Sequence, residues 1–186
     1  MNIAPVAYRY ARSLMDLATE QGQVEAVHAD MGLVAATTAA SRELRVLLNS
    51  PVVQADKKSA VLDKVFGGHV GEVTQRFMAI LVRKGREGML PQVAAAAQEL
   101  YKRQKGIVTA TVTSAVPLDD SARQQVRALA TARHPGKTVE LDEQVDPELI
   151  GGLTIRIGDE QYDGSVSRRL SDLRREFSKN PYIPAI

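Results

Sequence analysis

The residues of this chain that could do chemistry are few and far apart in the sequence. His28, His69 and His134 form no metal-binding pair such as His-x-x-x-His, so we expect them on the surface or in turns. Ser165 has no nearby histidine and lacks the flanking pattern of a nucleophile elbow, so we expect it to cap a helix. The sequence therefore predicts no catalytic or metal-binding residue.

Acidic pairs and glycine-rich loops give no catalytic signal either. Asp119 and Asp120 follow Pro117-Leu118, where carboxylates stabilise the start of a helix, and this role is favoured over an acid and base pair. Neither Gly-x-x-x-x-Gly-Lys-Ser/Thr nor Gly-x-Gly-x-x-Gly occurs, so nothing indicates a loop that cradles a nucleotide phosphate. We expect no bound cofactor.

Composition limits the class of protein. The chain has 186 residues, enough for one or two domains, and 44% of them are hydrophobic but only 4% aromatic. A core built from Leu, Val, Ile and many Ala favours helices packed at close approach. The net charge of +2 excludes a strong field toward nucleic acid, and the lack of cysteine excludes disulfides and fits a reducing compartment. No segment approaches the ~18–20 apolar residues of a membrane span.

The first 105 residues show helical periodicity throughout. Glycine and proline turns separate six helical segments, which begin near Pro5, Val24, Leu44, Asp56, Val70 and Met89. The first helix has apolar residues over an arc of roughly 200°, wider than one packing face needs. Either a central position in a bundle or a second apolar contact explains this width.

From Gly106 onward the periodicity changes to that of strands. Alternating residues predict a strand near 108–116, a helix over 118–132, strands at 139–141 and 151–157, and a short strand at Gln161-Tyr162. We expect Gly151, Gly152 and Gly164 where φ is positive or the backbone is closely approached. The sequence thus predicts an α+β protein, with a six-helix bundle over residues 1–105 and a small α/β domain over 106–186.

The chain ends in an amphipathic helix after Ser165. Val166, Leu170, Leu173 and Phe177 share one face, and four arginines lie on or beside it. A basic helix on a small α/β domain could bind RNA, but the strands lack aromatic residues for base stacking. Two classes of function remain at this point: a non-catalytic connector in an assembly, and a nucleic-acid or small-ligand module.

Three collinear segments resemble the delta subunit family of F-type ATP synthase, called oligomycin-sensitivity-conferring protein in mitochondria. The segment from Tyr8 to Leu14 is similar to the first helix of that family, and Gly106–Leu118 to its interdomain strand. The C-terminal signature matches at Gly151, Gly152, Ile155, Arg156, Gly158, Asp159, Asp163, Gly164, Ser165, Val166, Arg169, Leu170 and Leu173. The resemblance covers nearly the whole chain.

The resemblance implies a non-catalytic stator subunit that links the alpha/beta head to the b subunits and so couples proton-driven rotation to ATP synthesis. It implies that residues 1–105 bind the N-terminus of an alpha subunit and that residues 106–186 bind the C-terminus of the b, or b and b', stalk. One copy in a hetero-oligomer is implied, on the cytoplasmic face of a bacterial inner membrane, without a membrane span of its own or any nucleic acid.

The resemblance also implies a groove for the N-terminal helix of the alpha subunit, formed by part of helix one with helix five. Tyr10 and Ala11 lie in a segment that matches the family, and the residues on helix five are chosen by position and period. The predicted contacts are Tyr10, Ala11, Leu14 and Leu17 on helix one and Phe77, Met78 and Leu81 on helix five. Gly151, Gly152, Asp163, Gly164, Ser165, Arg169 and Leu170 are predicted to shape the C-terminal domain.

Overall fold

Helices make up the first part of the computed structural model, which describes residues 4–178. Pro5 stands in the first turn of α1, where its missing N–H costs nothing. The helices are α1 (Pro5–Glu20), α2 (Val24–Ala40), α3 (Arg42–Asn49), α4 (Ala55–Phe66), α5 (Glu72–Arg83) and α6 (Leu90–Gln104). A short 3-10 turn at Glu87–Met89, which the sequence did not predict, precedes α6.

Small side chains allow the helices of this bundle to approach closely. Ala7, Ala11 and Ala18 on α1 are fully buried, as are Ala94 and Ala97 on α6. The main packing partners of α6 are α1 and α2. Larger residues such as Phe66, Leu81 and Leu90 complete the same core. The alanine-rich composition therefore serves tight helix packing, as the sequence indicated.

One ion pair lies inside the bundle. Lys58 on α4 and Glu87 in the 3-10 turn are only 4% and 8% exposed. The Lys58 Nζ atom lies 2.5 Å from Glu87 Oε1 and also donates to the backbone carbonyl of Leu48 at 3.0 Å. The pair thereby ties α4 to the end of α3 and to the segment before α6.

A mixed sheet and two helices form the second part of the chain. The elements are β1 (Ile107–Ser114), α7 (Asp120–Arg133), β2 (Thr138–Val145), β3 (Leu153–Ile157), β4 (Glu160–Asp163) and α8 (Val166–Ser178). The strand order is β2-β1-β3-β4, with β1 parallel to β2 and antiparallel to β3, while β4 is antiparallel to β3. Because β1 and β2 are parallel, α7 serves as the crossover between them.

The second core lies between α7 and one face of the sheet. Val126 and Ala130 of α7 share a cluster with Val112 of β1 and with Ile155 and Ile157 of β3. The side chain of Asp119 caps α7 by accepting from the N–H of Ala122 at 2.7 Å. The helix-start role predicted for the Asp119-Asp120 pair is thus confirmed at Asp119.

The chain divides into two compact units, one ending at Lys105 and the other beginning at Gly106. An α+β protein with an N-terminal helical bundle and a C-terminal α/β unit is confirmed. Most helix and strand limits lie close to the predicted ones because glycine, proline and capping residues mark them in the sequence, but β2 runs to Val145 rather than ending at Leu141.

Candidate partner-binding surfaces

The residues predicted to bind the N-terminal helix of the alpha subunit do not share one environment. Ala11, Leu14, Met78 and Leu81 are at most 3% exposed and belong to the core of the bundle. Phe77 is 8% exposed. A side chain this deeply buried holds the bundle together and cannot touch a partner while this packing persists. Tyr10 and Leu17 are the two predicted contacts with substantial accessible surface.

The accessible apolar residues of α1 and α5 lie beside the buried face of each helix. Leu17 is 40% exposed and shares a helix face with the half-buried Tyr10, seven residues earlier. On α5, Ile80 is 46% exposed and shares a face with the half-buried Val73. These four residues, two on each of two helices that do not pack extensively on one another, are called the bundle flank below. The sequence prediction included Met78 on α5 and did not include Ile80.

The C-terminal signature residues form the junction between the sheet and α8. Gly164 N–H donates to the carbonyl of Leu153 at 2.9 Å, and Val166 N–H donates to that of Gly151 at 3.0 Å. Ser165 is buried, and its hydroxyl accepts from the N–H of Arg168 at 3.2 Å. The predicted capping role of Ser165 is therefore confirmed, and the junction sets where α8 leaves the sheet.

The glycines at this junction serve different purposes. Gly152 has φ +79°, and a Cβ there would lie 2.4 Å from the carbonyl oxygen of Gly164. Gly151 and Gly164 do not have positive φ, but a Cβ would lie 3.2 Å from a side-chain carbon of Val166 and from the Leu153 carbonyl oxygen, respectively. Among these three glycines only Gly152 has positive φ, and close approach explains the other two.

Asp163 completes the junction as a hydrogen-bond acceptor. Its Oδ1 accepts from the backbone N–H of Ser165 at 3.0 Å. Hydrogen bonding from Ser165, through the side chain first and the backbone second, lowers the pKa of the Asp163 carboxyl because it favours the ionised form. The carboxylate is therefore charged at neutral pH and holds the turn that precedes α8.

The apolar face of α8 is open to solvent. None of the helix residues is buried, and α8 does not pack extensively on any other element between residues 4 and 178. Val166, Leu170, Leu173 and Phe177 are 38%, 54%, 47% and 85% exposed. These four residues are called the α8 stripe below. Leu170, predicted to be a structural residue, thus lies in the α8 stripe, and Arg169 lies beside it on the exposed surface. An exposed apolar stripe of this kind is a candidate interaction surface.

A polar cluster joins α2 to the last turns of α6. The rings of His28 and Tyr101 stack with their centroids 3.7 Å apart, and the Tyr101 hydroxyl donates to Glu25. Lys105 Nζ lies 2.6 Å from Glu25 Oε1. Hydrogen bonding from Lys105 first, then from Tyr101, lowers the pKa of Glu25. The sequence did not reveal this cluster because its members lie up to 80 residues apart.

Each of the two units has a concave region on its surface. One of about 740 Å³ lies between α1 and α6 and one of about 440 Å³ between α7, the sheet and the start of α8. Between residues 4 and 178, no group of three His, Asp or Glu side chains is placed to hold a metal ion. In the same range, no helix is both long and apolar enough to cross a membrane.

Comparison with known proteins identifies relatives over the whole length of the fold. The family model described as ATP synthase delta (OSCP) subunit matches residues 6–177. A protein of Cytophaga hutchinsonii is 33% identical over 174 residues, which cover 94% of each chain. One of Chlorobium luteolum is 39% identical, over 91% of this chain and 93% of its own. Both are named ATP synthase subunit delta.

A solved structure has the same fold. A chain from the cryo-EM structure of the Toxoplasma gondii mitochondrial ATP synthase hexamer aligns with a TM-score of 0.75. The alignment covers 95% of this chain and 99% of that one, at 23% sequence identity. On the strength of the family model and the bacterial relatives, this chain belongs to the ATP synthase delta (OSCP) subunit family, whose members are non-catalytic peripheral-stalk subunits of F-type ATP synthase.

Proposed function

We propose that this chain binds an alpha subunit of the head and the b-type subunits of the stalk directly, with a different surface for each partner. The N-terminal unit binds the N-terminal helix of an alpha subunit, and the C-terminal unit binds the C-terminal end of the b, or b and b', subunits. One copy serves each complex, on the cytoplasmic face of a bacterial membrane. Resistance to torque requires slowly dissociating contacts, which buried apolar surface supplies.

The observation that carries this proposal is the open α8 stripe. A helix of 13 residues is only marginally stable in water unless it packs on something. This helix is capped at its start by Ser165, yet its four large apolar side chains keep between 38% and 85% of their surface exposed. A partner that covers the α8 stripe would provide the missing packing, and a stalk subunit is the partner that family membership suggests.

The bundle flank supports the second contact. An amphipathic helix binds apolar positions repeated every three, four or seven residues, and the two seven-residue pairs of the bundle flank have this spacing. Leu17 and Ile80 offer the most accessible surface of the four. Tyr10 adds an aromatic residue, a type enriched among residues that dominate binding energy. We therefore assign the binding of the alpha subunit's N-terminal helix to the bundle flank rather than to the buried core residues.

Calorimetry with a peptide of the alpha-subunit N-terminus tests this assignment. We expect the double variant Leu17→Asp/Ile80→Asp to weaken binding by at least about tenfold, and Tyr10→Ala to weaken it without unfolding the bundle. Leu33→Asp on α2 is the matched control, because Leu33 is 41% exposed but lies outside the bundle flank. Unchanged affinity in the flank variants, or an equal loss in the control, would refute the assignment.

Affinity purification tests membership of the stalk more broadly. The tagged chain is expected to capture alpha, beta and b-type subunits from a native membrane extract in mild detergent. Recovery of RNA or of unrelated proteins without those subunits would contradict the proposal and would favour a nucleic-acid role for the arginines of α8.

A further inference from the structure

We infer that α8 pairs with its partner as a short coiled coil, and that the partner is an α-helix whose apolar seam is flanked by acidic residues. This inference rests on the proposed function for the identity of the partner, a b-type stalk helix. The chemistry of the partner follows from α8 itself.

The spacing of the α8 stripe is that of a coiled-coil seam. The intervals from Val166 to Leu170, Leu173 and Phe177 are four, three and four residues, which place the side chains alternately at the d and a positions of a heptad. At 100° per residue the four side chains span an arc of about 60°. An apolar stripe confined to a and d positions is the narrow seam of a coiled coil, so it favours a single partner helix.

The charges beside the α8 stripe specify the partner. Arg169 falls at a g position and Arg174 at an e position, one on each side of the seam. Within residues 4–178 neither of these side chains has an acidic partner. The other two arginines, Arg168 and Arg175, lie on the opposite face and both pair with Asp172, at 3.9 and 3.6 Å.

Unpaired arginines on both sides of an apolar seam are complemented by carboxylates at the facing positions of the second helix. A second copy of this chain fits less well, because it would bring another helix with four arginines against two acidic residues. Glu176, at the other g position, leaves room for one basic residue near the end of the partner seam.

Two designed peptides test the inference without the stalk subunit. Both have leucine and isoleucine seams, but one has glutamate at every e and g position and the other lysine, so like charges keep each peptide monomeric. We expect the full chain to bind the glutamate peptide at least about tenfold more tightly than the lysine peptide. Added salt should reduce this preference.

Charge reversal provides the matched comparison. Arg169→Glu/Arg174→Glu should invert the preference between the two peptides, whereas Arg168→Glu/Arg175→Glu should leave the glutamate peptide favoured despite the same change in net charge. Leu170→Asp/Leu173→Asp should weaken binding of the glutamate peptide by about 30-fold or more. Equal affinity for the two peptides, or equal effects of the two arginine pairs, would overturn the inference.

Alternative occupants give distinct results. If anionic vesicles capture the chain and Leu170→Asp/Leu173→Asp abolishes the capture, the α8 stripe binds a membrane surface rather than a partner helix. If sedimentation equilibrium shows a dimer that the same variant abolishes, the α8 stripe binds a second copy of this chain. Either result would overturn the inference.

The soluble part of the b-type subunit from the same organism separates the two proposals. If it binds the full chain but Arg169→Glu/Arg174→Glu has no effect, the charge rule is wrong and the stalk contact stands. If the peptides behave as expected but the b-type subunit does not bind, the charge rule stands and the proposed partner is wrong.

Discussion

At the scale of single residues, the buried pair Lys58–Glu87 is a contact that is costly to break. Replacing Lys58 by Met leaves a buried carboxylate without its partner, so we expect a loss of about 3–5 kcal/mol in the free energy of unfolding of the bundle. Hydrogen exchange measured by mass spectrometry on the whole chain checks this, because amides of α3 to α6 should lose protection while those of the sheet do not.

Two further variants show whether the unpaired charge of Glu87 causes this loss of stability. Lys58→Met/Glu87→Leu should recover most of the lost stability, since no charge then remains buried. The neighbouring Lys57 is exposed, so Lys57→Met should change stability by less than about 0.5 kcal/mol. A double variant as unstable as the single one would show that shape, rather than charge, is the cause.

Gly152 combines backbone strain with a steric conflict, whereas Gly158 has the strain alone. Gly152→Ala should cost at least about 2 kcal/mol, because φ is +79° and a Cβ would clash with the Gly164 carbonyl. Gly158→Ala should cost about 1 kcal/mol, since φ is +58° but the space around it is open. Exchange protection of β1 and β3 measures both. Equal costs would contradict the clash.

Asp163 gives a pH dependence with a defined sign. Its folded-state pKa is lowered, so the stabilisation is present above the unfolded value of about 3.9 and is lost as pH falls through the folded value. An NMR titration should give a pKa below the ordinary value, and Ser165→Ala should raise it while the exposed Ser167→Ala should not. An unshifted pKa in the unmodified chain would contradict the hydrogen bonds described for this turn.

At the scale of the elements, α8 differs from every other helix in that none of its residues is buried. Because Leu170 and Leu173 are about half exposed, Leu170→Asp/Leu173→Asp should change the stability of the sheet by less than about 1 kcal/mol. Val126→Asp on α7 should abolish the C-terminal core, since Val126 is 3% exposed. Hydrogen-exchange protection of the β1 amides distinguishes the α8 variant from the α7 variant. Loss of protection in the α8 variant would show that the α8 stripe packs within the chain.

Periodicity in the sequence was sufficient to place the elements but not to assign their apolar faces. The pattern of α1 predicted a wide apolar arc, yet nothing in it distinguished Leu14, which packs in the core, from Leu17, which reaches solvent. Only the positions of neighbouring helices decide this. The face of α8 was predicted correctly for the same residues, but its exposure follows from the absence of a packed neighbour among the described elements. Lys58 and Glu87 meet across 29 residues, which no local pattern reveals.

At the scale of the whole molecule, the proposed connector needs two independent surfaces on two units of one chain. Neither surface holds catalytic groups, and the family to which the chain belongs acts by holding other subunits together. Loss of either surface should therefore uncouple the head from the stalk while the other contact persists. This independence distinguishes a connector from a subunit that binds both partners through one site.

Mass photometry of the alpha/beta head, the soluble part of the b-type subunit and this chain tests that claim most directly. We predict a ternary complex with one copy of the chain. Leu17→Asp/Ile80→Asp should lose the head but keep the b-type subunit, and Leu170→Asp/Leu173→Asp should do the reverse. A variant of one surface that loses both partners while remaining folded, or retention of both partners in both variants, would contradict the account.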